Sequence, residues 1–342
     1  MRKVTKILLK VLSVTLLFLI FCPIVLTLVV ELPTVQNFLV GKATQYVSEK
    51  LETEVSIRRI KIGVLGSLRV DGFYVEDYQQ DTLLYVDKLR VYLSRIPDQD
   101  GVTLRNGVVS HGVLNIKETP EGVMNIKQVV ARLSNKDREK KSDFMLKVED
   151  VRVDDFSLVI EQKEHREPTY GVDYGDMHIE HMSAFVDDFF LHGGRIGGYI
   201  RNFSTIEHCG FMVQNFTGRF LVDKGLVELS DFEIMAEKSD IRLPRLTLRG
   251  EDWSAYKDFI HNVVIEGEIY RSAASSDDIA HFAPRMLPWN IAVRGVNAKV
   301  KGTVADMKVD VKSLQFGQQS MLQGEVTFRG LPNVKRAGMS VR

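Results

Sequence analysis

Two histidines, His178 and His181, stand in DMHIEHM beside Asp176 and Glu180, a set whose types could hold a divalent metal or move a proton. On a helix the two imidazoles would share a face. Met177 and Ile179 alternate with polar neighbours after Tyr174-Gly175, however, which reads as a strand and sends positions three apart to opposite faces. The spacing therefore argues against one shared metal. His192, His208 and the other four histidines read as isolated and exposed. Gly193-Gly194 and Gly197-Gly198 in LHGGRIGGYI imitate a phosphate loop, but no Lys-Ser/Thr pair follows and Ile196, Tyr199 and Ile200 make the setting a strand. Asp187-Asp188 reads as a turn pair, not an acid–base dyad. No nucleophile elbow, P-loop, dinucleotide fingerprint or H-E-x-x-H is present. The sequence thus assigns no catalytic, metal-binding or cofactor-binding residue, and the expectation is a protein that is not an enzyme.

The elements around these residues carry more information. The 342 residues hold 45 Lys+Arg and 45 Asp+Glu, a balance that argues against a nucleic-acid partner, which selects a basic surplus. Two cysteines, Cys22 and Cys209, are too few for a disulfide framework or a four-thiolate zinc site. Between Lys10 and Glu31 run 20 uncharged residues, enough at ~1.5 Å per residue to cross a bilayer core. Val11, Leu16, Leu17, Phe18, Leu19, Ile20, Phe21, Ile24, Leu26 and Val29 form its apolar body. No small-residue cleavage site follows, and no small residue precedes Cys22, so the stretch reads as an uncleaved anchor. Arg2, Lys3, Lys6 and Lys10 before it, against Glu31 after it, place the N-terminus in the cytoplasm and export the body.

Pro33 can open a helix, and Val35, Phe38, Leu39, Ala43, Tyr46, Val47 and Leu51 follow mostly at helical spacing. Such a helix either plugs the end of its own domain or lies on the membrane. From Val55 the period becomes two, with apolar residues alternating with polar ones in strand after strand. Phe144, Leu146 and Val148 shift phase to Val151 and Val153 across Glu149-Asp150, and again to Phe156, Leu158 and Ile160 across Asp154-Asp155, as turns or bulges do. Gln79-Gln80-Asp81 and Asp223-Lys224-Gly225 read as turns. Helical interruptions are expected at 128–133, 253–260 and 275–282, the last with serine caps and Asp277-Asp278 in its first turn. The echo of Gly112–Lys117 in Gly122–Lys127 predicts a hairpin around Pro120-Glu121.

The expected fold is therefore mainly β: a transmembrane helix and an amphipathic helix, then a long antiparallel sheet with one solvated side. The regions are 1–31, stub and anchor; 32–134, helix and first strands; 135–143, a charged surface loop; and 144–342, the continuing sheet. The closing GLPNVKRAGMSVR lacks a capping segment, which predicts a piece of something longer.

The order of these features resembles the AsmA-like superfamily, and more closely the N-terminal part of bacterial TamB-type translocation and assembly module proteins. The resemblance rests on Leu32-Pro33-Thr34-Val35-Gln36-Asn37 with Phe38-Leu39, on Glu52–Ile57, and on Asp81–Leu89 as a second strand pair. Glu121-Gly122-Val123-Met124-Asn125-Ile126 resembles the recurrent D-G-x-x-N-I turn, with Glu121 in place of Asp. Ile206–Phe211 and Gly330-Leu331-Pro332 are similar to further segments. The resemblance implies a repeating β-groove, a curved U-shaped sheet, and a protein reaching from the inner membrane into the periplasm. It implies phospholipid as cargo and, as an alternative, assembly of outer-membrane β-barrel proteins with an Omp85-type barrel partner.

Alternation in such a sheet lines one wall with apolar side chains, each buried CH₂ of an acyl chain contributing ~0.8 kcal/mol. Val148, Val153, Leu158, Val309, Val311, Val326 and Phe328 are the candidates for that wall. The competing reading makes the same residues the closed core of an ordinary sandwich.

Overall fold

The computed structural model describes residues 33–63, 66–94, 101–133, 145–165, 167–317, 320–330 and 338–341. The expected anchor (Val11 to Val29), Cys22 and the charged run 135–143 lie outside the described residues. Among the described residues, no helix is long and apolar enough to cross a membrane.

Fifteen strands form one sheet whose lateral order follows the chain, β1 to β15. They are β1 (Val55–Ile62), β2 (Ser67–Glu76), β3 (Thr82–Leu93), β4 (Gly101–Lys117), β5 (Met145–Glu161), β6 (Asp176–His192), β7 (Arg195–Glu207) and β8 (Met212–Asp223). Then come β9 (Leu226–Ala236), β10 (Asp240–Arg249), β11 (Val264–Ser275), β12 (Ala292–Gly302), β13 (Asp306–Phe316), β14 (Ser320–Arg329) and β15 (Gly338–Val341). The sheet does not close, since β1 and β15 are not hydrogen-bonded to each other. Every neighbouring pair is antiparallel except β4 and β5, which run parallel side by side. A parallel pair needs a crossover, and the helix α2 (Asn125–Leu133) lies in it.

The helix α1 (Pro33–Leu51) starts on proline, whose missing N–H is harmless at that position. It stops at Glu52, which turns left-handed at φ 55°. Two side chains tie down its end: Tyr78 donates to the Leu51 carbonyl at 2.6 Å, and Ser48 Oγ accepts from the Val55 N–H at 3.0 Å. Leu51, Val55, Val75, Leu83 and Val129 form a buried cluster with Val47, Phe73, Leu84, Leu114 and Ile126 packed on it. Both helices thus cover the part of the sheet made by β1–β4. Phe38 and Tyr46, which the periodicity put on the apolar side of α1, remain 63% and 66% exposed. Only the C-terminal half of α1 acts as a plug.

The hairpin expected from the 112–127 echo does not form. Both edges of β4 are already occupied, by β3 and β5, so no slot exists for a second copy. A single bridge, Glu118 to Met124, closes the turn, and Gly122 there has φ 76°. Asn125 then starts α2. Its buried side chain accepts from Lys117 N at 3.0 Å and Ile126 N at 2.7 Å, and donates to Asp77 Oδ2 at 2.8 Å. The other oxygen of Asp77 accepts from Gln79 N and Asp81 N, fixing the expected turn there.

Other local expectations hold. Asp223 pairs with Leu226 around Lys224-Gly225, both at positive φ as a two-residue hairpin requires. The helical interruptions appear as a 3₁₀ turn (Trp253–Asp258) running into α3 (Phe259–Asn262), and as α4 (Ser276–Ala280), where Ser275 Oγ accepts from Asp277 N. A second 3₁₀ turn, Pro284–Trp289, follows α4.

Neither phase shift is a turn, since β5 runs unbroken through both: the second is a bulge at Asp155, and the first lies beside the left-handed Asn106 of β4 and Asp188 of β6. Left-handed residues recur inside the strands: Gly72, Asn106, His111, Asp155, His181, Asp188, Asn202, Asp231, Arg271 and Gly295. Register shifts in the adjoining pairs accompany most of them from Asp155 onward. An inserted residue adds local twist and lets the hydrophobic set resume on its original face. That is why the alternation changes phase while the apolar face stays one. Asp187-Asp188 is likewise not a turn: Asp187 faces Tyr199 within β6–β7 and binds Arg201, and Asp188 is the bulged residue.

Candidate functional site

Followed across the strands, the pairing registers draw two apolar rows. In the first, Leu93 faces Leu104, Leu104 faces Val148 and Val148 faces Phe189. It resumes at Gly198, where a Cβ would lie 3.4 Å from the Phe189 Cα and 3.2 Å from the Phe220 ring. From there it runs Phe220, Leu229, Leu246, Gly267, Val300, Val309 and Val326. The second row lies two residues further along each strand. It runs Val102, Leu146, Leu191, Ile196, Val222, Val227, then Leu248, Ile265, Gly302, Met307 and Phe328.

The intervening positions point the other way. From β9 to β14 they are Glu228, Thr247, Glu266, Lys301, Lys308 and Thr327. Cross-strand pairs of opposite sign decorate this second face: Lys299 with Glu268 at 2.6 Å, Lys301 with Glu266 at 3.1 Å, Lys308 with Glu325 at 2.7 Å. All are solvent-exposed, so each adds well under 1 kcal/mol; their effect is to keep this face in water.

Of the seven residues proposed from sequence, Val148, Val309 and Val326 fall on the first row and Phe328 on the second. Val311 lies next along the same face, between Ala298 and Gly324. Val153 belongs to a row Ile60, Val70, Leu89, Val109, Val153, Ala184, and Leu158 to a row Val55, Val75, Leu84, Leu114, Leu158, Ile179. Bulges separate these two rows from the first pair, and the helices cover the β1–β4 end of the last one. Val148 and Val311 are buried; Val153, Leu158, Val309, Val326 and Phe328 are only half-buried. Neighbours within the sheet account for that partial burial, because all strands described belong to one sheet.

The polar residues tell a different story from the one their spacing implied. His178 and His181 do part company: His178 Nε2 lies 2.8 Å from Asp176, and His181 reaches Asp155 on β5. Yet the remaining histidines are not all isolated. His111 and His181 donate from Nδ1 to the two oxygens of Asp155 at 2.9 and 2.8 Å, and all three residues are left-handed. These hydrogen bonds, His181 first, hold the Asp155 carboxyl below its ordinary value.

His281 sits between Cys209 and Tyr170, with Nδ1 3.4 Å from Cys209 Sγ and Nε2 3.4 Å from the Tyr170 hydroxyl. Phe211 and Phe282 pack edge to face beside them, 4.7 Å apart. A thiol next to an imidazole would suit nucleophilic chemistry, but burial and Glu207 push Cys209 up to about 11, the opposite of activation. The cluster instead fastens α4 to the β7–β8 turn and to the 170–172 segment, where Val172 N donates to the His281 carbonyl at 2.7 Å. No sequence signal joins Tyr170, Cys209 and His281, which meet only through tertiary packing.

The site is therefore a surface, not a pocket: apolar rows spanning most of the sheet, backed over β9–β14 by a charged face. No family model, no curated protein and no solved structure matches this chain.

Proposed function

We propose that the protein is a membrane-anchored conduit that shields phospholipid acyl chains, of the AsmA-like, TamB type, working in the periplasm between inner and outer membranes. The carrying observation is the pair of apolar rows that cross β4–β14 on one face of an unclosed single sheet, with no second sheet packed on that face among the described residues. A soluble fold normally buries such a face, and a patch this continuous marks an interaction surface. Acyl chains fit it because the rows offer no directional polar groups and each CH₂ removed from water contributes ~0.8 kcal/mol. Bulges recurring in successive strands supply the twist that turns a flat sheet into a trough. Headgroups then stay at the open side, in water.

The test is photo-crosslinking from Val309 and Val326 in the membrane-embedded full chain. Recovery of phospholipid supports the conduit. Recovery of an unfolded barrel protein would transfer the wall to the alternative role, a scaffold for outer-membrane assembly. Recovery of neither refutes both.

A further inference from the structure

A cavity of about 690 Å³ lies between the N-terminal half of α1 and the strands β1 and β2. Gln36, Asn37 and Val40 form one wall. The other carries Arg59, Lys61 and Arg69, and no carboxylate lines the space. Arg58 borders it too but is committed to Asp87 at 2.9 Å. The pairing registers add an independent fact: Lys61 faces Arg69, and Arg69 faces Arg90, on three adjacent strands. Like charges directly opposite destabilise a sheet. None of the three has an ion-pair or hydrogen-bond partner among the described residues, whereas Lys301 and Lys308, which also face each other, each hold a carboxylate, Glu266 and Glu325. An anion from outside would offset such a row.

Two further observations define that anion. Ile62 and Val40 line the same cavity, and Ile62 is 40% exposed, so an occupant meets apolar as well as cationic side chains. A free phosphate would leave those side chains unused. Moreover α1 begins at Pro33, immediately after the uncharged stretch of the sequence, which sets the cavity at the expected bilayer surface.

We propose that this cavity takes the phosphodiester headgroup of an anionic phospholipid at the point where lipid moves from bilayer to sheet. Arg69 offers its planar fork and Lys61 a point charge to the phosphate, and Ile62 and Val40 meet the first methylenes. The assignment rests on the conduit reading and adds a headgroup preference to it.

The test places a photoreactive residue at Asn37, for the cavity, and another at Val309, for the wall, in the full chain. The chain is reconstituted in nanodiscs of phosphatidylethanolamine with or without phosphatidylglycerol. Capture of phosphatidylglycerol at Asn37 in excess of its abundance is expected, and Lys61→Gln/Arg69→Gln should lower it by about tenfold, less so at high salt. Lys308→Gln, on the charged face of β13, should leave it unchanged. Capture in proportion to abundance, or indifference to Lys61→Gln/Arg69→Gln, would overturn the site. Loss of capture in inorganic phosphate, at a concentration where chloride of equal ionic strength leaves it intact, would overturn the lipid assignment in favour of a free-phosphate site. Selective capture at Asn37 with none at Val309 would remove the conduit and leave the headgroup site standing. An unchanged far-UV circular dichroism spectrum excludes misfolding of the variant.

Discussion

Replacing Val309 with Asp separates an open apolar wall from a closed core. Val309 is half-buried between Val300 and Val326, its neighbours in register. Complete burial of a valine side chain contributes ~1.5–2 kcal/mol, so half-burial forfeits about 1 kcal/mol. The carboxylate that replaces it keeps most of its hydration if the face is open, adding no more than about 1 kcal/mol. The sum predicts a loss of about 1–2 kcal/mol in urea unfolding followed by circular dichroism. Lys308→Asp one residue away gives up only an exposed pair with Glu325, at well under 1 kcal/mol. Lipid captured from position 326 should fall several-fold in Val309→Asp and not in Lys308→Asp. A loss above about 4 kcal/mol for Val309→Asp would refute the reasoning, since only an unpaired charge in a covered interior costs that much.

Cys209 should resist alkylation at neutral pH, its rate rising toward about pH 11, as the raised thiol pKa requires. Between the ordinary thiol value and that one, the unfolded chain loses its proton before the folded chain does, so stability falls as pH rises through the window. For Asp155 the sign is reversed: its depressed folded pKa contributes stability above the ordinary carboxylate value, and this is lost as pH falls through the folded one. Asp155→Asn should therefore flatten the acid limb of the stability curve, with an effect under about 1 kcal/mol because the group is exposed. Gly112→Val drives a Cβ to within 2.5 Å of the Phe156 ring and 3.1 Å of the Tyr85 carbonyl, and should cost about 1–3 kcal/mol in the same unfolding assay. Arg69→Glu places an acid between Lys61 and Arg90 and should raise the unfolding free energy slightly, by about 0.5 kcal/mol, while abolishing the phosphatidylglycerol preference at Asn37.

Strands and turns were legible in the sequence because alternation and turn chemistry are local. The phase shifts at Glu149-Asp150 and Asp154-Asp155 were equally visible, and Asp, Asn and His occupy most of the left-handed positions because their side chains tolerate that conformation best. What alternation could not tell was whether a shift ends a strand or bulges it. That depends on a neighbour far along the chain, as His111 and His181 flanking Asp155 demonstrate. The 112–127 echo misled for the same reason: a repeated pattern predicts pairing only where an edge is free. Of the wall residues, alternation identified the type and missed the rows, since Val148 and Val326 share one through nine strand-to-strand steps that no sequence window contains.

The charge balance acquires a physical meaning from the registers. On the face opposite the apolar rows, β9–β14 set Glu228 near Arg245, Glu268 on Lys299, Glu266 on Lys301 and Glu325 on Lys308, so that even Lys301 and Lys308, which face each other, each hold a carboxylate. These exposed pairs add little stability, but they pin register, because a slip by one residue would turn lysines and glutamates onto the apolar face. A chain that needed only solubility could keep the same pairing through β1–β3. There the rule fails at Lys61, Arg69 and Arg90, beside a cavity without carboxylates and next to the expected anchor. A molecule neutral as a whole thus concentrates uncompensated positive charge at the end where it would meet anionic lipid, and pairs its charges along β9–β14, where a lipid sliding past should find no headgroup trap.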